Sequence, residues 1–228
     1  AMTAQGYQRG VYVSWSPKGG AGKTTLACNL AALLGVLCQR KTLLVDANMS
    51  GGHVWLHMGL QPRDNIYGLA TLFRANGNRL QPRDLAGHVA PYGRDLDVLV
   101  GIARVEQAGS EELRGDQGTA FMNALVELAR RQYDFVIVDL GASPNVAVHL
   151  AALQRADRVL LVVTPDRTAL VDARNTVETL VTGLGFAREH FWLVVNMFTD
   201  ESGLERKEIP TWMELVEMGL IPLDPGGS

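Results

Sequence analysis

Lysine is scarce in this 228-residue chain. It stands only at positions 18, 23, 41 and 207, and arginine supplies the other basic side chains. The formal net charge is −3, so no global basic field draws the chain to nucleic acid or to an anionic membrane. Cysteine is scarcer still, with only Cys28 and Cys38. Ten residues apart on one expected helix, they stand about 15 Å apart along its axis, too far to bridge. The absence of a cysteine pair points to a reducing, cytoplasmic compartment. No apolar run approaches the roughly 20 residues that span a bilayer, and no leader pattern opens the chain. Neither a 20–50-residue repeat nor a low-complexity tract is present, which excludes solenoids and linkers. What remains is 47% apolar and 20% charged, ordinary for one globular domain with a full core. The Ala-Met start and the Pro-Gly-Gly-Ser end are expected to be margins of a domain from a longer protein. On that reading residues 1–9 are a flexible or artificial lead, 10–225 one domain, and 226–228 a loose end.

Two of the four lysines fall in one stretch, residues 14–25, which reads S-W-S-P-K-G-G-A-G-K-T-T. An apolar run, residues 11–15, precedes it and reads as a strand; residues 26–34 follow and read as a helix. Strand, glycine-rich turn and helix closing on Gly-Lys-Thr form a phosphate-binding loop. Gly19, Gly20 and Gly22 let successive N–H groups converge on one anion, with Ala21 between them, and Thr25 continues into the helix whose dipole adds to the site. Lys23 is expected at the β- and γ-phosphates and the Thr24 hydroxyl at Mg²⁺.

Residues 41–46 and 134–139 are apolar runs that each close on an acid, Asp46 and Asp139, and read as buried parallel strands. Such strands deliver their last residues to the carboxyl edge of the sheet, where ligands bind in open α/β folds. Asp139 stands where an acid holding Mg²⁺ belongs, and the Gly141 N–H is placed to meet the γ-phosphate. Further strands are expected at 96–100, 158–163 and 192–196, the last taken as the final strand. Helices are expected at 66–75, 80–88, 121–130, 146–153, 170–184 and 211–218. Residues 101–118 read as loop with at most short helix. The alternation gives an α/β fold, a doubly wound, mostly parallel sheet covered on both faces.

The wording P-K-G-G-A-G-K-T-T, with Lys18 five residues before Lys23, resembles the deviant Walker A loop of the P-loop ATPases that include ParA, MinD, the nitrogenase iron protein and CpaE. The likeness covers nearly the whole chain and implies a SIMIBI-type P-loop NTPase binding ATP or ADP with Mg²⁺. V-S-W-S-P-K-G-G and the stretch from Val45 to Leu60 are most similar to the CpaE/TadZ type. The resemblance implies that Lys18 acts in trans on a partner's nucleotide. It also implies that Asn196 reads adenine and that Pro222 flanks the base. In the family's switch I pattern, D-x-D, the second acid handles the attacking water; here that position is Asn48. An amide cannot take a proton, but it can position water, so slow turnover is expected, with Asp46 the remaining nearby carboxylate.

The leading expectation is an ATP-dependent homodimeric switch that positions a pilus or secretion apparatus, a pole or DNA, working with a protein partner of such a system. A nucleotide-binding scaffold that does not hydrolyse is the alternative. A DNA partner stays open but without support, and direct membrane binding by this chain is not expected. A metal-cluster relative would need cysteines at the dimer interface, and a tyrosine kinase a tyrosine-rich tail. His53 and His57, four apart, are candidate metal ligands, though exposed switch or dimer-surface residues are the preferred reading. Thr164–Arg167 and Asp172 are candidates for the face that meets the partner, or equally form an ordinary strand–helix junction.

Overall fold

The runs 42–47, 135–140 and 158–163 are apolar and mostly aliphatic, with no exposed side chain, so each must be covered on both faces. The computed structural model describes residues 8–61, 65–144 and 146–224. Except for residues 8 and 9, the two ends set apart above lie outside the described residues. Arg9 is bound in, its guanidinium 3.1 Å from Asp134.

In chain order the elements are β1 (Gly10–Trp15), α1 (Lys23–Ala32), β2 (Thr42–Ala47), α2 (Val54–His57), α3 (Ile66–Ala75), α4 (Pro82–Ala86), β3 (Ala90–Pro91), β4 (Leu96–Leu99), α5 (Val105–Ala108), α6 (Gly115–Gln132), β5 (Phe135–Leu140), α7 (Ala147–Arg155), β6 (Arg158–Val163), α8 (Arg167–Leu184), β7 (Phe191–Phe198), α9 (Glu208–Met213) and β8 (Val216–Pro222). A π-helical turn, Leu33–Leu37, continues α1. The sheet order is β3-β4-β2-β5-β1-β6-β7-β8. Every neighbouring pair is parallel except β3–β4. This is the expected doubly wound α/β sheet.

Side chains leave successive strand positions on opposite faces, and the core divides accordingly. Val11, Val13, Leu43, Val45, Val136 and Val138 pack with α3, α6, α7 and α8 on one face. Leu44, Ile137, Val98 and Phe135 pack with Ala27, Ala31 and Leu34 of the α1 segment on the other. Each fully buried Val or Leu contributes roughly 1.5–3 kcal/mol, which fixes the sheet beneath the loops at its carboxyl edge. Register places Ser14 beside Asp139 and Asp139 beside Asp46 at that edge.

Two expectations at the C-terminal end need correction. The helix placed at 211–218 runs instead over Glu208–Met213, and residues 216–222 form β8 beside β7. Thus 192–196 is not the final strand. The stretch Val216, Met218, Leu220 alternates as a strand should, but Trp212, Leu215 and Met218 also repeat at helical spacing, and the unpaired edge of β7 decides between them. No helix of the described residues is long and apolar enough to cross a membrane.

Candidate functional site

The loop between β1 and α1 curls because Gly20 and Gly22 adopt left-handed backbone, φ 75° and 90°. Gly22 is the N-cap of α1, and it has no side chain to cap the first N–H groups. The leading N–H groups of the helix are therefore left for an anion, at the positive end of its dipole. The Asn196 amide, from β7, donates 2.9 Å to the Ala21 carbonyl and braces the loop from outside. Ser14 Oγ donates to the Lys23 carbonyl at 2.9 Å, tying strand to helix.

Lys23 is nearly buried and its ammonium donates 3.0 Å to the Lys18 carbonyl, folding back over the loop. Burial lowers its pKa, partly opposed by Asp139. Thr24 Oγ1 donates 2.6 Å to Asp139 Oδ2. The other carboxylate oxygen, Asp139 Oδ1, is buried with no hydrogen-bond partner. Burial raises the Asp139 pKa to about 7, with the Thr24 bond opposing and Asp46 adding to the rise. An unmet buried acceptor beside a hydroxyl is the oxygen donor set a Mg²⁺ ion takes, so Thr24 and Asp139 fit the expected cation.

These groups border a cleft of about 450 Å³. The phosphate loop lines it through Gly19, Gly20, Gly22, Lys23, Thr24 and Thr25, and Asn48, Ser50, His53, Gly141, Ala142 and Met197 complete the lining. A larger groove, about 650 Å³, lies between α8 and α9, but its walls include Leu170, Val171, Ile209 and Trp212 and it does not touch the phosphate loop. Asn48 is half-buried. Its Oδ1 accepts the Ser50 N–H at 3.0 Å and its Nδ2 donates to the Gly51 carbonyl at 3.3 Å.

Asp46 is placed differently from the other site candidates. Fully buried, it accepts the Asn48 N–H on Oδ1 at 3.1 Å and the Val54 N–H on Oδ2 at 3.2 Å. Burial raises its pKa to about 6, against those two bonds and a third from the Gly101 N–H. It lies under the loop, outside the cleft wall.

Lys18 reaches into its own chain. Its ammonium is 3.3 Å from Asp166 Oδ1 and 3.4 Å from Thr168 Oγ1. Slight burial raises the Asp166 pKa, but the Thr164 and Thr168 hydroxyls, the Ala169 N–H and Lys18 outweigh it and hold the carboxyl well below the usual range. Pro222 ends β8 beside Phe198 and is not part of the cleft wall. His53 caps α2 and borders the cleft, and His57 closes the same helix. Among the described residues no three acidic, histidine or cysteine side chains cluster as a metal site. Both cysteines are free, and burial pushes the Cys28 thiol up to about 12, which keeps it inert.

Met197 escaped the sequence reading. It stands at φ 58° directly after Asn196 and borders the cleft. A non-glycine residue in left-handed backbone is uncommon and gathers at functional sites, yet no side-chain pattern announces it. Asp166 falls in the stretch 164–167, read from the sequence as a partner-facing surface or an ordinary strand–helix junction; its contact with Lys18 is not legible there.

Residues 12–183, about three quarters of the chain, match the AAA_31 family, described as an AAA domain. The septum site-determining protein MinD of Thermotoga maritima is 29% identical over 189 residues, 82% of this chain and 64% of that protein. The chain thus spans less than two thirds of that relative. Among solved structures, a ParA family ATPase from Chlorobium tepidum superposes with a TM-score of 0.80 at 22% identity, covering 96% of this chain and 86% of the other. The MinD protein of Pyrococcus horikoshii, solved with Mg-ADP, superposes at 0.74 and 20% identity, over 94% and 82%. Those two likenesses establish the fold. By the extent of the family match, the chain belongs to this AAA-domain family, within the ParA/MinD superfamily of P-loop ATPases.

Proposed function

We propose that this chain binds ATP with Mg²⁺ in the cleft over β1, β2 and β5, and that its ATP form pairs with a second copy as a switch that positions or assembles a cellular structure. The observation that carries the reading is the unpartnered oxygen of Asp139 beside the Thr24 hydroxyl, at the mouth of the uncapped α1. The backbone N–H groups of residues 19–24 bind the phosphates, and Lys23 adds a positive charge where the terminal oxygens gather. Thr24 and Asp139 would hold Mg²⁺, which would supply positive charge against the phosphates. Asn48 faces the same space and orients water without taking its proton; Asp46 fixes the loop that presents Asn48.

Lys18 is paired with Asp166 and Thr168 of its own chain. Acting on a partner's nucleotide requires it to leave that pair, so the dimer exchanges one set of contacts for another. The cargo is a protein component of a localisation, pilus or secretion system; a net charge of −3 gives DNA no support.

One observation favours the second reading, a switch that binds but barely hydrolyses. Both ends of the Asn48 amide are spent on Ser50 and Gly51 of its own loop. Calorimetry with Mg·ATP on the wild type and on Lys23→Ala tests binding, and phosphate release under the same conditions separates the two readings. Unchanged affinity in Lys23→Ala overturns both.

A further inference from the structure

His149 of α7 has no exposed surface, yet its ring meets two loops of the cleft. Nδ1 lies 2.6 Å from the Ser143 carbonyl, in the loop after Asp139. Nε2 lies 2.9 Å from the Ala47 carbonyl and 3.4 Å from the Met49 N–H, on either side of Asn48. The third side is closed as well. A Cβ built on Gly141 would stand 2.7 Å from Asn48 Oδ1 and 2.8 Å from His149 Cε1, so Gly141, Asn48 and the imidazole are packed without slack.

We infer that His149 is a positioning residue: its ring clamps the segment carrying Asn48 to the loop after Asp139, so that the two segments facing the terminal phosphate move as one. The inference rests on the nucleotide reading above. The short approach to Ser143 puts a proton on Nδ1, because a lone pair there would oppose the carbonyl oxygen. Nε2 then accepts the Met49 N–H or, when protonated, donates to Ala47. Both partners flank Asn48, so the ring spans the two loops in either state. Leucine or methionine would fill the volume but has no donor or acceptor for either loop. A histidine present only to fill the core would not need polar contacts at both edges of its ring.

The coupling is read by hydrogen exchange on the full chain, with Mg·ADP and with a non-hydrolysable ATP analogue plus Mg²⁺. In the wild type, residues 47–52 and 141–144 both gain protection with the triphosphate. In His149→Leu, residues 141–144 keep that gain and residues 47–52 lose it, while calorimetry shows ATP affinity retained. Turnover falls roughly 10- to 100-fold, the scale of a small misplacement near the reacting atoms. His149→Gln, which retains a donor and an acceptor near Nε2, restores part of the response at 47–52. If the leucine variant does not fold, His149→Met is read the same way. A donor-less variant in which both segments respond as in the wild type, at wild-type turnover, overturns the inference and leaves the nucleotide reading intact. A wild type in which neither segment responds, with no heat of binding, overturns both.

Discussion

Replacing Gly22 by alanine puts a methyl group where the Asn196 amide now braces the phosphate loop. Gly22 sits at φ 90°, ψ 18°, and an ideal Cβ there would overlap the Asn196 side-chain nitrogen and stand 3.4 Å from its Cγ. Left-handed backbone costs an L-residue about 1–2 kcal/mol. Driving the amide off the Ala21 carbonyl adds the overpacking cost of a filled site, about 1–3 kcal/mol. Gly22→Ala is therefore expected to destabilise by about 3 kcal/mol. Asn196→Ala removes one hydrogen bond, about 1 kcal/mol. In the double variant the methyl occupies the space the amide vacated, so only backbone strain and the lost bond remain, about 2–3 kcal/mol. The pair then falls short of additivity by about 1–2 kcal/mol. Urea unfolding of the four proteins without nucleotide measures the cycle. Additivity to within about 0.5 kcal/mol would refute the contact. Calorimetry adds a functional reading: if Asn196 serves the loop, Asn196→Ala weakens ATP and GTP alike, whereas an amide that reads adenine would weaken ATP alone.

The site makes three further predictions. Burial keeps a proton on Asp139 up to about pH 7, and a cation must displace it; Mg·ATP affinity should therefore rise with pH from about 6 to 8, falling roughly tenfold per unit below 7, with the slope abolished in Asp139→Asn. A flat calorimetric profile in the wild type would contradict this. Asp46 and Asp139 hold protons more tightly folded than unfolded, so ligand-free stability should decline as pH rises from about 4 through about 6–7, measured as the urea midpoint; a midpoint that climbs over that window would refute the sign. Lys18→Ala should leave monomer nucleotide binding intact but weaken ATP-dependent dimers in light scattering, while Asp166→Asn, which frees Lys18 from an exposed ion pair worth at most about 1 kcal/mol, should favour those dimers severalfold. Dimerisation indifferent to both substitutions would remove Lys18 from the interface.

Much of the fold was legible because parallel strands buried on both faces must be apolar along their length. The runs 158–163 and 66–75 coincide with β6 and α3, and the runs closing on Asp46 and Asp139 coincide with β2 and β5 to within a residue. The phosphate loop was legible for a related reason: a chain bent around an anion needs glycine at fixed offsets. What could not be read depends on tertiary neighbours. Residues 212–220 carry both a two-residue and a helical repeat, and only the open edge of β7 selects strand for 216–222. Asn196 was visible as a strand-end amide, but its first partner is a loop carbonyl 175 residues earlier in the chain. His149 falls within the expected helix 146–153, and nothing local shows that two loops converge on its ring.

Asp46 and Asp139 show most directly how environment divides residues that sequence makes alike. Both close a buried strand, they are neighbours in register, and burial raises both pKa values. Asp46 has its oxygens on the backbone N–H groups of Asn48 and Val54. To act as a base it would have to give up bonds that set the loop bearing Asn48, and charge-assisted bonds of that kind contribute about 1.5–3 kcal/mol each. Asp139 spends one oxygen on Thr24 and leaves the other buried and unmet, a state about 1–3 kcal/mol above a satisfied one. A bound cation relieves that penalty, whereas at Asp46 a ligand could only add one. The acid with unmet bonding capacity is thus the one poised for the metal, and the satisfied acid is scaffold. With Asp46 committed to the loop, the proposed function leaves only a neutral amide, Asn48, to orient water, and on that reading slow turnover follows from the placement of one carboxylate.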